Sequence, residues 1–65
     1  MMYKNKMKEI RKAKKIKLKE LSQKTGISIG YLCHLEKGTR RNPSVQVMQK
    51  IANALEEDVT KIFFS

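Results

Sequence analysis

Residues 17–44 read KLKELSQKTGISIGYLCHLEKGTRRNPS, and this stretch decides the fold. Gly26 divides it, and glycine is the residue best able to adopt the left-handed backbone at the end of a helix. The spacing of the apolar residues predicts a helix from about Leu18 to Lys24 before this glycine and a helix from Ile29 to Lys37 after it. The stretch therefore forms two short helices joined by a tight turn, followed by a basic loop that Asn-Pro-Ser closes.

Local signals support both helices of this pair. Ile27 is expected to plug the turn between them, Ser28 to cap the second helix, and Gly38 to end it. The inward-facing residues are expected to be Leu21, Leu32 and Leu35.

Before this pair, the pattern predicts an amphipathic basic helix that ends near Lys15. Ile16 can then enter the core before the next helix begins. Lysines and arginines cover the rest of the helix surface, and the apolar residues that recur at three- to four-residue steps are Tyr3, Met7, Ile10 and Ala13.

After the basic loop, Pro43 prevents any earlier helix from continuing and Ser44 caps the next one. This fourth helix presents an inward stripe of Val45, Met48, Ile51, Ala52 and Leu55. Asp58 is expected to cap a last short turn, whose apolar contacts come from Val59, Ile62 and either Phe63 or Phe64. Since no useful stretch alternates with period two, the sequence predicts an all-α fold, a compact five-helix bundle formed by one domain over residues 1–65.

Composition narrows the classes of protein to consider. Fifteen Lys and Arg against six Asp and Glu give a net charge of +9 in 65 residues, which favours a polyanionic partner. Cys33 is the single cysteine, so an internal disulfide is excluded and, with only His34 beside it, a structural zinc site lacks ligands. The chain has neither a run of about 18 apolar residues nor a secretory signal. We therefore expect a cytoplasmic protein without a metal, a cofactor or a membrane partner, and a core so small that oligomerisation adds stability.

The pattern resembles the Cro/C1-type (XRE) family of helix-turn-helix domains, the phage-repressor or lambda-repressor-like type. The resemblance covers about residues 7–63. It is carried by Arg11, Leu21-Ser22, Gly26-Ile27-Ser28, Leu32, Leu35-Glu36-Lys37-Gly38, Asn42-Pro43-Ser44 and Ile51-Ala52-Asn53-Ala54-Leu55. It implies that the third helix, at about 29–37, lies in the major groove of double-stranded DNA and that a homodimer binds two half-sites about 34 Å apart.

The resemblance also implies roles for individual residues. Those on or beside the groove-facing part of the third helix are Ser28, Ile29, Gly30, Tyr31, Cys33 and His34. Those expected at the phosphate backbone are Lys17, Leu18, Lys37, Thr39, Arg40 and Arg41, and Lys19 joins them because the first turn of a helix attracts phosphate. Arg11 and Glu36 are expected to form a structural ion pair between the first helix and the end of the third.

Several positions depart from the family pattern. Leu18 replaces a frequent Gln, Ile29 and Gly30 replace polar side chains, and Glu56 stands where many relatives have Gly. Ile29 can contact only apolar groups such as a thymine methyl, and Gly30 offers close approach without a side chain. Hydrogen bonding to bases is therefore expected to rest on Tyr31 and His34.

Less specific interpretations compete with these roles. The cations of the first helix can serve solubility alone, His34 can be a solvent-exposed residue without a partner, and Tyr31 can pack against the second helix. Of Phe63 and Phe64, one is expected to face inward, and for the other a dimer contact is favoured over a singly exposed ring. Cys33 and His34 are not expected to form a catalytic pair, because neighbours on a helix point about 100° apart.

The sequence thus predicts a sequence-specific DNA-binding transcriptional regulator, a repressor, and not an enzyme. The alternative is an antitoxin or another protein-interaction module, which binds a protein partner and for which DNA binding is secondary. Binding of a membrane surface through the first helix is a weaker hypothesis, since its narrow apolar stripe is needed for the core.

Overall fold

Within residues 5–39 and 43–64, the chain forms five helices and no strand. These two ranges are the residues described by the structure, a computed structural model. The helices are α1 Met7–Ala13, α2 Leu18–Thr25, α3 Ile29–Lys37, α4 Val45–Leu55 and α5 Val59–Phe63. The all-α, five-helix fold that the sequence predicts is confirmed.

The end of α1 differs from the prediction. The helix stops at Ala13, and Lys15 adopts a left-handed backbone with φ of 59°. The amide of Ile16 then donates to the carbonyl of Arg11 at 3.0 Å, which turns the chain back so that Ile16 packs against the core. The reversal depends on a left-handed lysine, a conformation that the apolar spacing of a sequence does not reveal.

The turn between α2 and α3 is fixed by side-chain hydrogen bonds as well as by Gly26, whose φ is 75°. Ser22 Oγ donates to the carbonyl of Ile27 at 2.6 Å, and Thr25 Oγ1 donates to the carbonyl of Leu21 at 2.8 Å. The same Thr25 oxygen accepts from the amide of Ile27 at 3.2 Å. Because these bonds join the last turn of α2 to the residues before α3, they set the direction in which α3 leaves the turn.

Serine caps begin α3 and α4 as the sequence predicts. Ser28 Oγ accepts from the amide of Tyr31 at 3.2 Å, and Ser44 Oγ accepts from the amide of Val47 at 3.1 Å. Asp58 occupies the N-cap position of α5, but its side chain makes no capping hydrogen bond, so that part of the prediction is wrong. Its carbonyl accepts instead from the amides of the first turn.

Every helix contributes to one hydrophobic core. Its buried apolar residues are Met7, Leu21, Leu32, Leu35, Ile51, Ala52, Leu55, Ile62 and Phe63. The inward positions predicted for α2 and α3 are therefore confirmed, and Phe63 is the phenylalanine that faces inward. Phe64, the next residue, is exposed.

Two residues expected on inward stripes lie outside the core. Val45 is 76% exposed, whereas Val47, in the same turn of α4, packs against the core. Ala13 is exposed because it is the last residue of α1. Tyr3, also predicted on the α1 stripe, lies outside the described residues. The stripe of α4 enters the core at Ile51 and is complete to Leu55, with Met48 half-buried before it.

Candidate nucleic-acid interface

The outward side of α3 is determined by the burial of its inward side. Leu32 and Leu35 are completely buried, which fixes the rotation of the helix and leaves the residues between them at the surface. Of the six residues predicted to face a groove, Ser28, Ile29, Gly30 and His34 are exposed, and Tyr31 and Cys33 are half-buried. The structure therefore brings all six onto one helix and its cap, with four of them exposed.

The first turn of α3 is open and partly apolar. Ile29 is 48% exposed, and a Cβ built on Gly30 would meet no atom within 4 Å. Gly30 is thus not needed to let two parts of this chain pack closely. Since Ser28 uses its hydroxyl to cap the helix, it keeps the N-terminal end of α3 ordered at this surface.

Tyr31 has two environments. Its side chain is half-buried and packs against the hydrophobic core, so only part of it is accessible on the outward side of α3. The packing interpretation of Tyr31 therefore describes part of the ring. A contact with DNA stays a prediction for the accessible remainder.

His34 is tied to the residue after the helix end. Its Nδ1 lies 2.9 Å from Thr39 Oγ1, and that oxygen lies 3.2 Å from the backbone carbonyl of His34. The amide of Thr39 donates to the same carbonyl at 3.1 Å. The interpretation of His34 as an exposed residue without a partner is therefore wrong.

The cations predicted near the phosphates lie at helix ends. Lys17 occupies the N-cap of α2, where no side chain makes a capping hydrogen bond, and the amides of the first turn offer donors to an anion. Lys17, Lys19 and Lys37 are exposed, whereas Leu18 packs against the core and can offer only its backbone. Arg40 and Arg41 lie outside the described residues.

Arg11 and Glu36 form an ion pair that joins α1 to the end of α3. Arg11 Nε lies 2.7 Å from Glu36 Oε2, and Nη2 donates to Oε1 at 3.2 Å. Nη1 donates to the carbonyl of Ile16 at 2.8 Å. Both side chains are nearly buried, at 11% and 6% exposure, so water screens the pair little. The pair holds the C-terminal turn of α3 against α1, next to Lys37.

Sequence reasoning did not identify the contact of Thr39 with His34 or the hydrogen bonds of Ser22 and Thr25 in the turn. Both involve hydroxyl residues close to a helix-ending glycine, where hydroxyls often bond to nearby backbone groups. That composition signals local hydrogen bonds without naming the partner. The partner depends on a side-chain direction that only the folded helix provides.

Two helices joined by a glycine turn, with the second helix capped, anchored and accessible on its outward side, define a helix-turn-helix protein. The helix-turn-helix family model matches residues 7–62, and the chain belongs to this family, of the XRE type. The chain is 38% identical over 53 residues to the HTH-type transcriptional regulator SlrR of Bacillus subtilis, and 36% identical over 53 residues to SinR of the same organism. Each match covers 82% of this chain.

A solved structure supports the same assignment. The crystal structure of the restriction-modification controller protein C.AhdI from Aeromonas hydrophila superposes with a TM-score of 0.80 at 28% identity. The match covers 86% of this chain and 83% of that chain. The matched segments are 35% of the length of SlrR and 48% of that of SinR, so this chain corresponds to about a third to a half of those regulators.

Proposed function

We propose that this chain is a sequence-specific double-stranded DNA-binding transcriptional regulator, a repressor, that inserts α3 in the major groove and acts as a homodimer in the cytoplasm. Its role is binding, not enzymatic catalysis. The observation that carries the proposal is the outward side of α3, where Ser28, Ile29, Gly30 and His34 are exposed and where the exposed Lys37 ends the helix. The names of SlrR, SinR and C.AhdI as regulators and a controller protein agree with it.

Charge supports this proposal over a neutral partner. The chain carries +9, and exposed lysines lie at the start of α2, at Lys17 and Lys19, and at the end of α3, at Lys37. Phosphate contacts of this kind provide affinity and register, while base contacts provide specificity. Within the described residues, no helix is long enough and apolar enough to cross a bilayer.

Fluorescence anisotropy tests the proposal. The protein is titrated against its own upstream promoter and a scrambled duplex of equal length, over a salt series of about 50–200 mM. We expect preferential binding to the promoter, weakened in His34→Ala. Lys8→Ala, on α1, serves as the matched control and keeps the preference.

Results that count against the proposal can be distinguished from one another. Equal and steeply salt-dependent binding to both duplexes would show phosphate affinity without sequence specificity at this promoter, and a selection from random duplexes would then decide whether any sequence is preferred. No preference there would contradict sequence-specific regulation and favour the protein-interaction alternative.

A further inference from the structure

The hydroxyl of Thr39 stands between two groups of His34 and has one hydrogen to donate. Nδ1 of the imidazole lies 2.9 Å away, and the backbone carbonyl oxygen of His34 lies 3.2 Å away. A hydroxyl bonds best at heavy-atom distances of about 2.5–3.0 Å, so distance favours the ring nitrogen.

The carbonyl of His34 is already supplied with donors. It accepts from the amide of Thr39 at 3.1 Å, and it shares the amide of Gly38 with the carbonyl of Leu35. A carbonyl oxygen has two lone pairs, and two amides point to this one. The Thr39 hydroxyl would be a third donor to this oxygen, so it bonds more favourably to Nδ1. Nδ1 has no other partner among the hydrogen bonds of the described residues.

From this arrangement we infer that Thr39 is a positioning residue for His34. The hydroxyl of Thr39 donates to Nδ1 of His34 and thereby holds the neutral imidazole with its proton on Nε2. The outward nitrogen of His34 is then a hydrogen-bond donor. Protonation of the ring does not change this, because Nδ1–H then donates to Thr39 and the hydroxyl turns to the carbonyl of His34 at 3.2 Å. His34 presents a donor in both states.

A fixed donor on the outward side of α3 selects for acceptors. In the major groove, guanine presents two acceptors, N7 and O6, adenine and thymine each present one acceptor, and cytosine presents a donor. The inference therefore deepens the proposed function, on which this step rests: Thr39 and His34 together favour guanine at one base-pair position in each half-site. A phosphate oxygen is also an acceptor, and contact with it would give affinity without a base preference.

The tautomer can be measured without DNA. His34 is the only histidine in the chain, so a long-range ¹⁵N–¹H spectrum of the ring has one set of signals. When the ¹⁵N shifts report a neutral ring, we expect Nε2 to be protonated and Nδ1 to be unprotonated and hydrogen-bonded. Thr39→Val, which removes the hydroxyl and keeps the shape, should move the Nδ1 signal toward that of an unbonded nitrogen, while Thr39→Ser should keep it.

A proton on Nδ1 in the wild-type protein would overturn the inference, and so would a Thr39→Val spectrum identical to that of the wild type. Melting curves of both variants check that the fold is kept, since the amide of residue 39 still donates to the carbonyl of His34. These results do not depend on whether the protein binds DNA. Failure of the tautomer and failure of the proposed function are therefore distinguishable.

Base preference tests the second step. Each variant selects from a pool of random duplexes, and we expect wild type and Thr39→Ser to enrich guanine at a position where His34→Ala shows no preference. Thr39→Val should bind the selected duplex about fivefold more weakly, the effect of losing or misdirecting one hydrogen bond. Equal loss for guanine and adenine duplexes would show a contact with N7, which both purines share, and overturn the preference for guanine. Equal loss for all four bases at that position would assign His34 to a phosphate and overturn the base-reading step.

Discussion

At the scale of single residues, Arg11 is the charge that most constrains the fold. It is 9% exposed, and its guanidinium donates to both oxygens of Glu36 and to the carbonyl of Ile16. A buried guanidinium requires such partners, because desolvation of an unpaired charge is costly. The pair is therefore a position where loss of either residue leaves an uncompensated charge in the interior.

Glu36→Ala should lower the free energy of unfolding by about 3 kcal/mol, because it leaves Arg11 without its carboxylate. Lys37→Ala, the adjacent exposed position, should change it by less than about 0.5 kcal/mol. Thermal melts followed by circular dichroism measure both. Equal melting temperatures for the two variants would refute the structural role of the pair.

Glu56 carries backbone strain that glycine would relieve. It is the C-cap of α4, with φ of 53° and ψ of 49°, where a side chain costs about 1–2 kcal/mol relative to glycine. Since glycine also loses more entropy on folding, we expect Glu56→Gly to raise the free energy of unfolding by about 0.5–1 kcal/mol.

Glu56→Ala is the control for this substitution, because it removes the same charge and keeps a Cβ at the left-handed position. Its stability should stay at or below that of the wild type. Chemical denaturation of the three proteins separates the effects. A gain as large for alanine as for glycine would attribute the change to charge rather than to the backbone.

At the scale of elements, Gly30 makes the first turn of α3 less stable but more accessible than a larger residue would. Gly30 lies in a helix with open space around it, and alanine in a helix interior is more stable than glycine by about 0.5–1 kcal/mol. We expect Gly30→Ala to raise the melting temperature and to weaken DNA binding, since the added methyl group prevents close approach of the helix to base edges. Anisotropy titrations measure the affinity, and unchanged affinity would show that the backbone at Gly30 does not approach DNA closely.

Ser22→Ala should affect the stability of the turn between α2 and α3 rather than the outward surface of α3. Its hydroxyl donates to the carbonyl of Ile27 at 2.6 Å inside the turn that directs α3. Loss of this bond should destabilise the fold by about 1 kcal/mol, because a part-buried carbonyl loses its donor. Gln23→Ala, at the exposed neighbouring position, is the control and should leave the melting temperature unchanged.

The elements also show what a sequence can predict here. Helix α3 begins after Ser28 and ends before Gly38, and α4 begins after Ser44, as predicted, because caps are local in sequence. Lys15 ends α1 earlier than expected through a left-handed backbone, and exposure of Val45 depends on how α4 packs against the core. Neither of these two features can be predicted from the neighbouring residues in the sequence. The outward side of α3, which is predicted to face the groove, follows from burial of the opposite side, but the bond between His34 and Thr39 depends on a rotamer that sequence spacing does not specify.

At the scale of the whole molecule, charge should control affinity. Each phosphate contact that a lysine makes releases counterions, so its removal reduces the slope of log K against log salt by about one. Lys17→Ala and Lys37→Ala should each reduce the slope by this amount. Lys8→Ala should leave the slope unchanged if the cations of α1 serve solubility. Titrations over about 50–200 mM salt provide the slopes, and an equal reduction for all three would show that total charge matters more than position.

The last turn of the molecule presents the strongest candidate for self-association. Phe63 is buried in the core, whereas Phe64 is 65% exposed. A domain of this size gains little stability from its own core, and association that buries an aromatic ring adds to it. The proposed homodimer is therefore expected to use Phe64. The fold of each subunit does not require this ring.

Phe64→Ser should weaken the dimer about tenfold or more, as truncation of a buried aromatic anchor does, while the secondary structure is retained. Sedimentation equilibrium measures the association, and the melting temperature of the wild type should rise with protein concentration more steeply than that of the variant. Val45→Ser is the control, since it removes another exposed apolar side chain, at the start of α4. If Phe64→Ser associates like the wild type and Val45→Ser does not, the interface lies at the start of α4 instead, and cooperative binding to paired half-sites should then depend on Val45.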